Sequence, residues 1–198
     1  MYTTNPLEVE TRRTTPTAPQ VYALLVEQWG HELNEEGCLS LTAQFWHETG
    51  GGKYCFGWNL GNIKASATVP HQYLRNVWEV YRDPSKAPSD PLARAATADE
   101  CKAKGWGCPP GAVVVVFQPP HAQCRFRAYA SLAEGAAKWV EHHRKIAKAD
   151  PDYLPNLNAG RLEGAAKDLR EARYYTGDEG GYARAMVRAR ETVLKLLG

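Results

Sequence analysis

The sequence predicts an α+β fold, mainly α, in which a helical body carries one small β-hairpin lobe. Three observations predict it. Apolar residues recur at helical spacing through both ends of the chain. The one long β-branched run, Ala112 to Phe117, lies midway and is followed by a second strand-like segment. The 198 residues are 43% hydrophobic, enough for one core and a single domain.

The elements follow in order. Residues 1–18 are rich in Thr and Pro and read as a flexible arm before a domain at 19–198. A helix from Pro19 to Asn34 presents Tyr22, Leu25, Val26, Trp29 and Leu33 on one face, and Gly37 breaks it. A second runs from Leu39 to Thr49 and stops at the glycines 50–52. Residues 53–69 read as irregular loop, 71–82 as a short helix, 83–91 as loop, and the stretch from Leu92 to Gly105 as weakly helical. Ala112–Phe117 and Gln123–Tyr129 read as two strands joined by a turn at 118–121. Ser131 with Glu134 forms a capping box that opens a helix lined by Leu132, Ala136, Trp139, His143 and Ile146. A further helix covers Ala159–Ala172. The last spans Glu179–Leu197, with Tyr182, Met186, Ala189, Val193 and Leu197 on one stripe.

Composition excludes several classes. Lys plus Arg is 24 and Asp plus Glu is 22, too balanced for the clustered basic stripe of a nucleic-acid binder. No run reaches the ~20 apolar residues of a membrane span, and the N-terminus lacks the apolar core of a signal peptide. The expectation is therefore synthesis in a cytoplasm without membrane insertion. Five cysteines leave at least one thiol unpaired, and Cys101 and Cys108 are spaced to close a short loop or to stay reduced. Six Trp and ten Tyr suit contact with sugar rings, although aromatic residues also dominate core packing.

The chemistry concentrates at Ala43–Ala65, AQFWHETGGGKYCFGWNLGNIKA, whose only carboxylate is Glu48. A Glu in the last helical turn meets the negative end of the macrodipole, and Phe45 and Trp46 would desolvate it. Both effects favour the protonated form. Glycosidic cleavage needs such a group, an acid still protonated near neutral pH.

This segment resembles the active-site region of the bacterial N-acetylglucosaminidase family, glycoside hydrolase family 73. Asn59-Leu60-Gly61-Asn62-Ile63-Lys64 is similar to that family's Asn-Leu-Phe-Gly-Ile-Lys stretch. FRAYASLAEGAAKWVEHHRK (126–145) and ARYYTGDEGGYARAM (172–186) resemble two further elements, in the family's order. The resemblance implies a lysozyme-like fold, no cofactor or metal, and hydrolysis of the β-1,4 bond after N-acetylglucosamine in peptidoglycan glycan strands. Glu48 matches the catalytic acid and Tyr182 the tyrosine that assists it. Tyr174, Tyr175, Trp58, Asn59 and Asn62 would line the substrate cleft. In that family a second carboxylate lies on the β lobe. The two expected strands here carry no acid, so the candidates are Glu79, Asp99 and Glu100.

His47-Glu48-Thr49-Gly50-Gly51 is also similar to the acid-bearing segment of family 19 chitinases, which share the lysozyme-like core. A muramidase on the same fold, or a peptidoglycan-binding module without turnover, are further readings. His47-Glu48 begins a zinc-peptidase motif but lacks the second histidine, since position 51 is Gly. Cys38 near a helix start resembles the nucleophile of NlpC-type cell-wall peptidases. Action at the cell wall without a signal would fit a phage endolysin, a phage-tail or secretion-machine subunit, or an injected toxin with an immunity partner.

Overall fold

The computed structural model describes residues 6–175 and 177–198. Its first elements are β1 (Arg13–Thr14), α1 (Ala18–Trp29), α2 (Glu35–Glu48) and β2 (Cys55–Phe56). The middle of the chain holds β3 (His71–Tyr73), β4 (Val77–Tyr81), β5 (Ala93–Ala95), α3 (Ala98–Lys104), β6 (Val113–Phe117) and β7 (Arg125–Arg127). Four helices finish it: α4 (Leu132–Ala149), α5 (Tyr153–Asn158), α6 (Leu162–Glu171) and α7 (Glu179–Leu197). The fold is α+β and mainly α. The chain forms two compact units, one helical (residues 12–63 and 128–198) and one β-rich (the described residues up to Thr11, and 64–127).

In the helical unit, side-chain caps set most helix starts. Thr17 and Gln20 exchange bonds in a capping box, Asn34 accepts from the Gly37 N–H, Ser131 from Glu134 and Asp178 from Gly181. The Glu134 carboxylate reaches back one residue further than expected, to the Ala130 N–H. α1 stops at Gly30, not at Gly37. Gly37 instead lies in the first turn of α2, where a Cβ would meet Asn158 Oδ1 at 2.3 Å. The helix expected at 159–172 is α6 preceded by a separate α5, with the break at Gly160 in a left-handed conformation, φ 64°.

α2 is buried continuously from Gly37 to Phe45 and packs against α1, α5 and α7. Its residues there are small or apolar on nearly every face, the signature of a central helix. Trp29, Phe45, Trp139, Tyr153 and Met186 fill the core around it. Glu36 on α2 and Arg190 on α7 form a bidentate pair at 2.8 and 2.6 Å. Residues 12–18, part of the expected flexible arm, carry β1, which pairs antiparallel with β2; Thr14 is buried. Residues 1–5 of that arm lie outside the described residues.

In the β-rich unit, three expectations are corrected. Residues 71–82 form β3 and β4, not a helix. Their β-branched and aromatic residues fit a strand as well as a helix, and Asn76 at φ 58° makes the turn between them. Ala112–Phe117 and Gln123–Tyr129 do contain strands, β6 and β7, but these do not pair with each other. β6 lies between β4 and β5 in one antiparallel sheet, and β7 pairs with β3 in another. The weakly helical stretch divides into β5 and α3, because Thr97 and Glu100 form a capping box that starts α3 only there. Leu7 and Val9, also in the expected arm, bond the backbone of His71 on either side.

Candidate active site

Glu48 is the last residue of α2. Thr49 follows as C-cap, its hydroxyl donating to the Phe45 carbonyl and accepting from the Gly52 N–H. Gly50, Gly51 and Gly52 all take left-handed φ values, 56°, 74° and 80°, which only glycines adopt in sequence without strain. A Cβ on Gly52 would meet the Pro16 carbonyl at 2.5 Å. The glycines thus turn the chain sharply within the protein wall directly after the acid.

The returning loop closes on the helix end. Asn62 Nδ2 donates to the Glu48 backbone carbonyl at 2.6 Å, satisfying an acceptor that the end of α2 leaves unpaired. Asn59 builds the turn itself: its Nδ2 donates to the Ile63 carbonyl at 2.9 Å and its Oδ1 accepts from the Ile63 N–H at 2.8 Å. Trp58 has φ 54° and Asn62 φ 50°. For a residue as bulky as Trp that conformation is strained, and the surroundings hold it. The Trp58 N–H donates to Thr14 Oγ1 at 3.2 Å, and a Cβ on Gly135 in α4 would strike the Trp58 carbonyl at 2.1 Å.

The tyrosines come from the approach to α7 and its first turn. Tyr182 Oη donates to Glu48 Oε1 at 2.6 Å. The Tyr175 and Tyr182 rings stack, 4.0 Å between centroids and 7° from parallel. Tyr175 Oη donates to the Ala166 carbonyl at 2.8 Å, and Tyr174 Oη to the Gly61 carbonyl at 2.9 Å. Tyr174 thus anchors the loop that follows the acid and Tyr175 anchors on α6, while Tyr182 alone among them bonds the carboxyl. His47 packs edge-on against Tyr182 with ring centroids 5.0 Å apart.

Burial shifts the titratable groups of the site toward their neutral forms. Burial raises the Glu48 pKa to about 7, and the Tyr182 hydrogen bond opposes that rise without cancelling it. Burial, and then the Arg188 charge, lower the His47 pKa and favour its neutral ring. Burial, with the Glu48 charge second, holds the Tyr174 and Tyr182 hydroxyls well above the usual tyrosine range. The result is a carboxylic acid that exchanges its proton near pH 7, with a phenol fixed on one of its oxygens.

The remaining candidates lie in the β-rich unit. Glu100 is committed to structure: Arg94 grips both its oxygens at 2.8 and 2.6 Å and the Thr97 N–H bonds one of them. These contacts, the Arg94 hydrogen bond foremost, hold its pKa down at about 2. Asp99 is exposed in the first turn of α3. Glu79 lies on β4, not on a helix as expected, and is the one acid within the three-stranded sheet. Its charge acts on Lys64, whose ammonium lies 4.0 Å from the centroid of the Phe126 ring and donates to the Gln123 carbonyl.

Two other chemistries lose support. Cys38 is buried, and burial, with the Glu35 charge, pushes its thiol up to about 11, the opposite of an activated nucleophile. Among the described residues no group of three or more His, Cys, Asp or Glu side chains could hold a metal ion, and no helix is long and apolar enough to cross a membrane. Sequence reasoning missed Gln44, fully buried one turn before Glu48; the i, i+4 spacing on α2 was the signal that could have found it. In comparisons with known proteins, this chain matches no family model, no curated protein and no solved structure.

Proposed function

We propose that this protein is a glycoside hydrolase acting on the β-1,4-linked glycan strands of bacterial peptidoglycan, with Glu48 as general acid. One observation carries the reading: a helix-end carboxyl, its pKa raised to about 7 by burial, accepts a 2.6 Å hydrogen bond from Tyr182. Such an acid still holds its proton in a large share of molecules near neutral pH and gives it up to a developing alkoxide. Cleavage proceeds as Glu48 protonates the glycosidic oxygen and the departing sugar leaves an oxocarbenium-like centre. Tyr182 then stabilises the carboxylate that remains, because its bond favours the charged form.

The incoming water or nucleophile is a separate matter. A carboxylate, a water held by an amide or hydroxyl, or the substrate's own acetamido group would serve. Among the further acids, Glu100 is occupied by Arg94 and Thr97, which leaves Glu79 and Asp99 as candidates. The resemblance of the Glu48 segment favours the bond after N-acetylglucosamine; a muramidase or chitinase-like specificity uses the same acid. Action at the cell wall of a bacterium follows from the substrate. Delivery would be as a phage lysin, a tail or secretion-machine subunit, or a toxin paired with an immunity protein.

The test is digestion of purified peptidoglycan by wild type, Glu48→Gln and Glu79→Gln, with borohydride reduction and mass analysis of the fragments. Reduced N-acetylglucosamine ends from wild type and none from Glu48→Gln are expected. Reduced muramic ends would keep the acid and correct the bond. Binding without release of new ends would replace the hydrolase by a non-catalytic peptidoglycan-binding module.

A further inference from the structure

Gln44 precedes Glu48 by one helical turn, so the two side chains leave the same face of α2. It is fully buried, and neither its Nε2 nor its Oε1 makes a full hydrogen bond. Buried amides ordinarily find partners, because an unpaired one has lost its water without replacement. The partners are at hand. The Gln44 amide lies close enough to the hydroxyls of Tyr174 and Tyr182 to lower the pKa of each, yet outside strict hydrogen-bond geometry with both. The amide is thus a neighbour of both phenols without a completed bond to either.

The donor count decides the direction. A phenol has one proton and can accept through its oxygen. Tyr182 gives its proton to Glu48 Oε1, and Tyr174 gives its proton to the Gly61 carbonyl. Both phenolic oxygens are therefore left as acceptors; that of Tyr174 also meets the buried Trp139 Nε1, whereas that of Tyr182 has Gln44 as its amide neighbour. Gln44 Nε2 has two protons and no partner for either.

We propose that Gln44 is a positioning residue of this site: its Nε2 donates to the Tyr182 and Tyr174 oxygens, which fixes the Tyr182 proton on Glu48 Oε1 and leaves Oε2 as the oxygen that carries the exchangeable proton. The inference rests on the reading of Glu48 as an acid and deepens it. The directional chain runs from amide to phenol to carboxyl, so each bond polarises the next. The other groups facing the acid are Tyr174 from the segment before α7, His47 on α2 itself, the Asn62 amide on the Glu48 carbonyl, and Arg188 on α7 acting through His47. None of these donates to the carboxyl oxygens, so the chain through Tyr182 is the one that sets their asymmetry.

The experiment follows the Glu48 carboxyl carbon by NMR through a pH titration in wild type, Gln44→Met, Tyr182→Phe and the double variant, with peptidoglycan turnover measured on the same samples. Removing the amide weakens the polarisation of Tyr182, so Gln44→Met should move the midpoint upward by about half a pH unit and slow turnover about fivefold to tenfold. In the Tyr182→Phe background the same substitution should move the midpoint no further. An unchanged midpoint in Gln44→Met, or an equal shift in both backgrounds, overturns the proposal. If Gln44→Met fails to fold, the wild-type Gln44 amide protons decide. Two separate resonances protected from exchange, one of them shifted in Tyr182→Phe, support it; rapid exchange with water overturns it. Intact glycan with wild type would overturn the hydrolase reading alone, because the titration needs no substrate.

Discussion

Tyr182 Oη lies 2.6 Å from Glu48 Oε1, a hydrogen bond that spans 134 residues of chain. It joins the last residue of α2 to the first turn of α7, the two helices that the Glu36–Arg190 pair also ties together. Two opposed effects meet in that bond. Burial drives the carboxyl toward its neutral form, and the phenol favours the charged one.

Tyr182→Phe removes the phenol while leaving a ring to stack on Tyr175. The carboxylate loses its one hydrogen bond from the described residues, so the titration of Glu48 should move upward from about 7. Turnover of peptidoglycan should fall by about tenfold to a hundredfold, with the alkaline limb of its pH profile shifted to higher pH. A profile of unchanged shape would remove Tyr182 from the proton chemistry.

Glu48→Gln should make the protein less sensitive to pH. The folded carboxyl titrates near 7 and its reference value is 4.5. Between those values the folded state binds more protons than the unfolded one. The stability present below pH 4.5 is therefore lost as pH rises through 7, by up to about 3 kcal/mol. Urea unfolding at pH 5 and pH 8 measures it: wild type should lose stability over that interval and the variant should lose less. Equal losses would mean that Glu48 is not the buried acid described.

Gly61→Ala should disturb the loop under the acid. The new Cβ would meet Trp139 Nε1 and Tyr174 Oη at 2.6 Å each. Neither group can retreat freely, since Trp139 is fully buried and Tyr174 bonds the Gly61 carbonyl. A loss of about 2–4 kcal/mol is expected in chemical denaturation. Wild-type stability would show that the loop adjusts at no cost.

Arg190→Met breaks the bidentate pair with Glu36 and leaves a carboxylate about 31% exposed without its partner. The expected loss is about 1–3 kcal/mol. Adding Glu36→Gln should cost less than the sum of the two single changes, since the interaction is already gone. Additive losses in a double-mutant cycle would mean that the pair does not couple α2 to α7.

Local chemistry was legible in the sequence. The buried stripe of α7 emerged as Tyr182, Met186, Ala189 and Val193, and Ser131 caps α4 as its spacing predicts. Glu48 ends a helix shortly before three glycines, as the position of that glycine run predicts. Strand pairing was not legible. β4 pairs with β6 across more than thirty residues, and nothing near Val77 distinguishes a strand there from a helix until its partner is known. Glu79 was named as a candidate acid but placed on a helix, so its position within the sheet emerged only from the strand pairing.

The amino-acid sequence by itself determined the mainly helical class, the Ser131 start of α4 and the position of one acid at a helix end. These depend on residues within about four positions of one another, where spacing and side-chain type suffice. The tertiary structure alone decided which phenol bonds that acid, why its proton stays on near pH 7, and that Gln44 is sealed beside it. Desolvation and long-range hydrogen bonds are set by what distant segments bring to the same point, and no window along the chain contains that information.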